Sequence, residues 1–148
     1  MLCPRTVGAL AGAFLIGTAT LLAGPARAQA PLAKANSEAS TEVRLEVTEL
    51  KRTSGGTVTL KALISNDSAK TFAPPASNRI YLLDATNRMK HAVVKDERGK
   101  HVANANHNVK AHERMEIWAK FGAPPQGVQK LTVVIPKFSP LEDVPLSQ

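Results

Sequence analysis

The chain of 148 residues has one cysteine, Cys3, and its aromatic content is only 4%. So few rings argue against a carbohydrate-binding platform or a base-stacking surface, because both rely on exposed aromatic side chains. Nucleophile signatures are missing as well. There is no Gly-x-Ser-x-Gly elbow, no His-Glu-x-x-His metal pair, and no glycine-rich phosphate loop ahead of a helix. The neighbouring acids Asp96 with Glu97 and Glu142 with Asp143 would face opposite sides of an extended chain. They read as turn and solvent residues, and the chain reads as non-catalytic, with no cofactor.

What is present first is a leader. Met1 to Arg5 are short and basic, Val7 to Leu22 are mostly apolar, and Ala26-Arg27-Ala28 offers small residues at both recognition positions of a cleavage site. Residues 1–28 therefore read as a secretory signal peptide cut after Ala28. Cutting after Ala30 would put Pro31 next to the scissile bond. A retained anchor needs about 20 consecutive apolar residues, whereas Gly12, Gly17, Thr18 and Thr20 dilute this run and Pro25 ends it. A lipid anchor needs a cysteine after the apolar run, and Cys3 lies before it.

The expected location is exported, periplasmic or extracellular, with no stable membrane insertion after cleavage. Nucleic acid is not an expected partner there. Cleavage removes Arg5, Arg27 and the only cysteine, which leaves about +5 of the formal +7 charge and no disulfide to hold the fold. Lysine and arginine are scattered from Lys51 to Lys137 among acids, with no run of four, which reads as a mixed solvated surface. A cluster of them would favour an anionic envelope partner.

Residues 29–41 lack an apolar period and read as a flexible lead, and residues 42–148 read as one domain. Val43, Leu45 and Val47 alternate with Arg44, Glu46 and Thr48. After Ser54-Gly55-Gly56, Val58, Leu60, Ala62 and Ile64 alternate again, so the two segments predict a hairpin. Asn66 ends the second strand, and Pro74-Pro75 cannot continue a ladder. Further strands are predicted over Arg79–Asp84, Met89–Val94, a brief segment at His101 and Val102, Met115–Lys120, and Leu131–Ile135. Seven short strands without a convincing amphipathic helix predict an all-β antiparallel sandwich. The tail from Phe138 to Leu146 is expected to pack along it, and Trp118, opposite Met115 and Ile117, is expected to be partly buried.

The segments VRLEVTELKRTSGGTVTLKALISND, YLLDATNRMKHAVVKDERGKHV and WAKFGAPPQGVQKLTVVIPKFSPLEDVPL resemble small exported bacterial immunoglobulin-like domains of uncharacterised function, similar in outline to the mycobacterial secreted immunoprotective antigen. The resemblance covers most of Glu42 to Leu146 and implies an immunoglobulin-like antiparallel sandwich of about seven strands. Its elements are structural: Asn66, Leu82-Leu83-Asp84, the Asp96–Gly99 turn, Trp118 to Phe121, Pro124-Pro125, and Ile135-Pro136 with Phe138. Where a Pro-Gly turn is expected before the sixth strand, this chain carries Ala111-His112. The peptidoglycan-binding domain of multi-domain relatives is not among these residues, so wall attachment does not carry over.

Histidine supplies the one hint of a site. His91, His101, His107 and His112 lie close in sequence, with Met89 two residues before His91 and Met115 three after His112. Imidazole and thioether bind copper, and imidazole suits zinc, so a periplasmic copper or zinc site is one alternative. Met89 and His91 would share a strand face, whereas His112 and Met115 would not. The leading expectation is a non-catalytic module that binds an envelope protein or polysaccharide through a loop or sheet edge. A purely structural accessory domain is the other alternative.

Overall fold

The computed structural model describes residues 29–148; the expected leader, residues 1–28, lies outside them. Eight strands form two four-stranded antiparallel sheets. The first sheet has the order β1 (Ala33–Ser37), β2 (Ser40–Thr53), β3 (Thr57–Asn66), β6 (Glu113–Gly122). The second has the order β5 (Met89–Ala92), β4 (Tyr81–Asp84), β7 (Lys130–Val134), β8 (Leu141–Pro145). Leaving β1 aside, β2-β3-β6 and β5-β4-β7-β8 match the A-B-E and C′-C-F-G sheets of the immunoglobulin fold.

The alternation read from the sequence sets which side chains are buried. Val43, Leu45 and Val47 of β2 face Val58, Leu60, Ala62 and Ile64 of β3 and Ile117, Ala119 and Phe121 of β6 on the inner face. Leu82, Leu131, Val133, Leu141 and Val144 close the core from the second sheet. A bulge at Thr48 shifts the register between Val47 and Glu49, so Leu50 points inward and Glu49 outward. The β2–β3 loop is Ser54-Gly55-Gly56, and both glycines have positive φ, 82° and 67°, where a side chain would strain the turn.

Two elements differ from expectation. The lead expected over residues 29–41 is in large part a strand, because β1 pairs with β2 from Ala33↔Val47 onward. Leu32, Ala33 and Ala35 pack against the core and Ser37 is buried. Ala, Asn and Ser have low strand propensity, so the ladder to β2 makes this strand rather than its own composition.

The segment at His101 and Val102 forms isolated bridges rather than a strand, Lys95↔His101 and Ala103↔Ala119 beside it. It carries the chain from the second sheet to the first and covers the edge of β6. There the Val94 N–H donates to the Lys120 carbonyl at 2.9 Å and the Lys120 N–H to the Val102 carbonyl at 3.0 Å. The tail packs on the sandwich as expected, and part of it, β8, pairs with β7. Trp118 is half-buried on the outer face, in register with Lys61.

Candidate functional site

The two lateral edges of the sandwich are chemically different. On the outer face of the first sheet two cations are paired with acids across the ladder, Lys34 with Glu46 at 3.0 Å and Lys61 with Glu49 at 3.2 Å, while Lys51 and Arg114 there are exposed and in no ion pair. Arg44 pairs with Asp67 at the end of that sheet. The opposite edge, formed by β5 and the segment that crosses to β6, carries Arg88, Lys90, Lys95, Arg98 and Lys100. All five are exposed. Among the described residues the ion pairs join Lys34, Arg44, Lys61, Lys110 and Lys130 to acids, and none joins a cation of this edge.

Two acids share this edge, and neither is in an ion pair: Glu97 is exposed, and local backbone geometry occupies Asp96. Asp96 begins a tight turn, and its Oδ1 accepts the backbone N–H groups of Arg98 at 2.9 Å and Lys100 at 2.8 Å. The Asp96 N–H donates to the Lys100 carbonyl at 2.8 Å. The carboxylate is thus occupied by the backbone, as aspartate at the head of a turn commonly is. Lys90 lies outward with its Nζ 4.0 Å from the centre of the Tyr81 ring, a cation–π contact that leaves its charge at the surface.

Next to this edge, a cavity of about 400 Å³ opens between the short 3-10 turn Ser77–Arg79 and the segment from Lys100 to Asn106. It is lined by Ser77, Asn78, Lys100, His101, Ala103 and Asn106. Asn106 Oδ1 accepts from the Ser77 backbone N–H at 3.1 Å and from the Ser77 hydroxyl at 3.0 Å. Nearby, Asn104 fixes the crossing segment to β6: its Oδ1 accepts the Trp118 N–H, and its own N–H donates to the Trp118 carbonyl at 3.1 Å.

A second cavity, about 440 Å³, lies between the β4–β5 turn at Ala85–Asn87 and the loop from Pro125 to Gln129. Arg52 holds that loop in place, donating to the carbonyls of Pro124 and Pro125, both at 2.8 Å, and of Val128 at 3.3 Å. A third, about 370 Å³, lies at the β2 bulge between Leu32 and the chain end near Ser147. Neither cavity's lining includes a histidine.

The histidines are distributed rather than gathered. His91 lies on the inner face of β5 opposite Leu82, only 8% exposed, with its Nε2 buried and without a hydrogen-bond partner. Met89 is at the start of the same strand and 45% exposed. His101 lines the cavity beside Lys100. His107 is exposed in the following loop, and His112 is exposed in the turn before β6, while Met115 lies half-buried within β6. Among the described residues no group of three or more His, Cys, Asp or Glu side chains is placed to hold a metal ion.

Asp84, buried at the end of β4, is the perturbed acid of the fold. Burial pushes its carboxyl up, but the side chain of Asn87, the N–H groups of Asn87 and Thr86 and the nearby His91 together pull it below its ordinary value. The two backbone N–H groups reach Oδ1 at 3.1 and 3.0 Å, and Asn87 Nδ2 reaches Oδ2 at 2.7 Å. All these partners are in its own turn, so Asp84 shapes the β4–β5 hairpin. In the sequence the lysines and arginines of the basic edge are part of a scattered, mixed surface. Their lack of partners, and the part played by Asn106, depend on which loops meet.

The fold and surface are those of a small immunoglobulin-like sandwich with one basic edge. Comparison with known proteins agrees on the fold. No protein-family model matches the chain, and no curated protein matches it. Among solved structures it is similar to a functionally unknown protein from Listeria monocytogenes EGD-e, with TM-score 0.50 and 14% identity over 78% of this chain and 84% of that one. It is also similar to MPT63, a secreted protein from Mycobacterium tuberculosis, with TM-score 0.47 and 13% identity over 76% and 87% of the two chains. The yjhA protein from Bacillus subtilis gives TM-score 0.48 and 12% identity over 65% and 73%. Among the described residues no helix is long and apolar enough to cross a membrane.

Proposed function

We propose that this chain is an exported, non-catalytic immunoglobulin-like module that binds an acidic polysaccharide of the cell envelope through its basic edge. The observation that carries the reading is the set Arg88, Lys90, Lys95, Arg98 and Lys100, five exposed cations without ion pairs gathered on one edge, while Lys34 and Lys61 on the outer face of the first sheet are paired with acids. Unpaired cations held on a rigid scaffold concentrate a polyanion and orient it. A lipid surface is less favoured: docking there draws on exposed apolar side chains as well as charge, and Met89 is the one large exposed hydrophobic among the described residues.

Retention of the purified protein on an immobilised acidic polysaccharide tests this reading. The Lys95→Ala, Arg98→Ala, Lys100→Ala variant should elute at clearly lower salt, because surface electrostatic attraction is screened within about 8–10 Å at ordinary ionic strength. Lys34→Ala should elute like the parent protein. Equal elution of the triple variant and the parent would reject the edge as the binding surface. Co-sedimentation with anionic vesicles, without retention on the polysaccharide, would point to lipid instead.

A further inference from the structure

We infer that the cavity bounded by Ser77, Asn78, Lys100, His101, Ala103 and Asn106 is a binding site for a phosphate group, carried on the acidic polysaccharide; this rests on the reading of the basic edge. A backbone N–H can only donate, so the Ser77 N–H requires the oxygen of the Asn106 side chain to face it. The Ser77 hydroxyl donates to the same oxygen. Both contacts fix the orientation of the amide, and its Nδ2 is left on the far side with two hydrogens to donate.

The other polar side chains of the cavity have the same bias. Lys100 brings an ammonium group with three donors and no acceptor, His101 brings at least one ring N–H in any protonation state, and Asn78 brings a second amide. No carboxylate lines the cavity. Of the two acids nearest in sequence, Asp96 accepts the N–H groups of Arg98 and Lys100, and Glu97 is exposed at the surface and in no ion pair. Arg79 and Arg98, each one or two residues from a lining residue, are exposed and in no ion pair, so together with Lys100 the cations around the pocket outnumber the two nearby acids, Asp96 and Glu97.

A pocket rich in donors, poor in acceptors and flanked by cations suits an oxyanion. Phosphate offers several acceptor oxygens and forms strong charge-assisted hydrogen bonds. At about 400 Å³ the cavity also leaves room for ester substituents, so a phosphodiester within a polymer can enter. The edge cations Lys95, Arg98 and Lys90 would then follow the chain away from the pocket.

The test is a titration of the purified, isotope-labelled protein with inorganic phosphate at constant ionic strength, read by amide resonances. Saturable shifts are expected at the Asn106 side-chain amide, Lys100 and His101. Asn106→Asp keeps an acceptor for Ser77 while replacing the free donor by an anionic oxygen, and it should weaken phosphate by about tenfold or more, as expected for loss of a charge-assisted contact. Lys100→Ala, at an exposed position where folding is not at stake, should weaken it severalfold. Non-saturating shifts shared with Lys51, Lys70 and Lys137 would overturn the site, and so would a Lys100→Ala variant that binds phosphate unchanged.

A second arm separates the two readings. Loss of phosphate binding in Asn106→Asp together with weaker retention on a phosphorylated polysaccharide supports both. Polymer retention that depends on Lys95 and Arg98 but ignores Asn106→Asp would remove the pocket and leave the basic edge. Saturable phosphate binding without polymer retention would overturn the polysaccharide as its source and make the pocket a site for free phosphate.

Discussion

The side-chain amide of Asn66 donates to the backbone carbonyl of Val109 at 3.0 Å from a fully buried position at the end of β3. The same Nδ2 reaches the carbonyls of Lys70 at 2.7 Å and Lys110 at 3.0 Å, and its Oδ1 accepts from the Ser68 N–H and hydroxyl. One amide therefore joins the loop after β3 to the segment entering β6, alongside the mutual Phe72–Val109 backbone bonds at 2.8 Å. Asn66→Ala would remove all of these side-chain bonds, each worth about 0.5–1.5 kcal/mol net, while the Val109, Lys110 and Lys70 carbonyls keep one donor each, the N–H of Phe72, the N–H of Glu113 and the Ser68 hydroxyl. The expected loss is about 3 kcal/mol by chemical denaturation. A loss below about 0.5 kcal/mol, the size of an ordinary surface substitution, would show that the donors these carbonyls keep are enough.

Asp84 gives the fold an acid-sensitive element. Its carboxyl titrates lower in the folded state than in the unfolded chain, where aspartate lies near about 3.9. The unfolded state then binds more protons as the pH falls between the two values. Its stabilising contribution is complete above the unfolded value and is lost as the pH drops through the folded one. Asp84→Asn should be less stable than the parent at neutral pH by about 1 kcal/mol, the usual scale for such hydrogen bonds. That gap should narrow as the pH falls below the unfolded value, about 3.9, and through the lower folded one. Denaturation midpoints measured across this range check it, and a gap that stays constant with pH would contradict the role given to the carboxylate.

Much of the fold was legible because period two was written in strong residues. Val58 to Ile64 and Met115 to Phe121 are strands whose inward and outward positions follow directly from alternation. β1 was not legible: Ala33, Ala35 and Ser37 make an inner face too small to stand out against Lys34 and Asn36. Nor was the bulge at Thr48, since an inserted residue leaves no compositional mark. The basic edge illustrates the same limit for the site. Lys95, Arg98 and Lys100 looked like the same mixed surface as Lys34 and Lys61, because cross-strand register decides which cations meet an acid. Asn106 lies in the polar run Asn104 to Asn108, where nothing in the composition sets it apart, and its role comes from Ser77 against its oxygen.

Arg52 should set the order of the loop from Pro124 to Val128. Its planar guanidinium spans the Pro124, Pro125 and Val128 carbonyls, whereas a lysine ammonium is a point donor that cannot span them together. Arg52→Lys is expected to lower stability by about 1–2 kcal/mol, the loss of one or two such bonds. It should also speed amide exchange at Val128 more than in β3, since a loop released locally opens below the global unfolding energy. Equal acceleration in both places would mean that Arg52 supports the whole sandwich rather than the loop.

The turn into β6 is where the chain departs from the Pro-Gly pattern of the domains it resembles, and the departure has a backbone consequence. The Glu113 N–H donates to the Lys110 carbonyl at 3.2 Å, closing a four-residue turn, and His112 in its third position has φ of 59°. A turn with positive φ at that position favours glycine there and proline before it. A left-handed conformation costs a residue with a side chain about 1–2 kcal/mol, and the greater freedom of unfolded glycine returns about 0.5–1 kcal/mol of that. His112→Gly should therefore stabilise the protein by about 0.5–1 kcal/mol and raise Tm by roughly 2–5 °C on the usual scaling for a domain of this size. His112→Ala retains the strained φ and should bring no such gain, so the two variants separate backbone strain from loss of the imidazole. Phosphate titration should be unchanged in both, because His112 does not line the cavity at Lys100 and Asn106. A His112→Gly variant less stable than His112→Ala would show that strain is not what this turn carries.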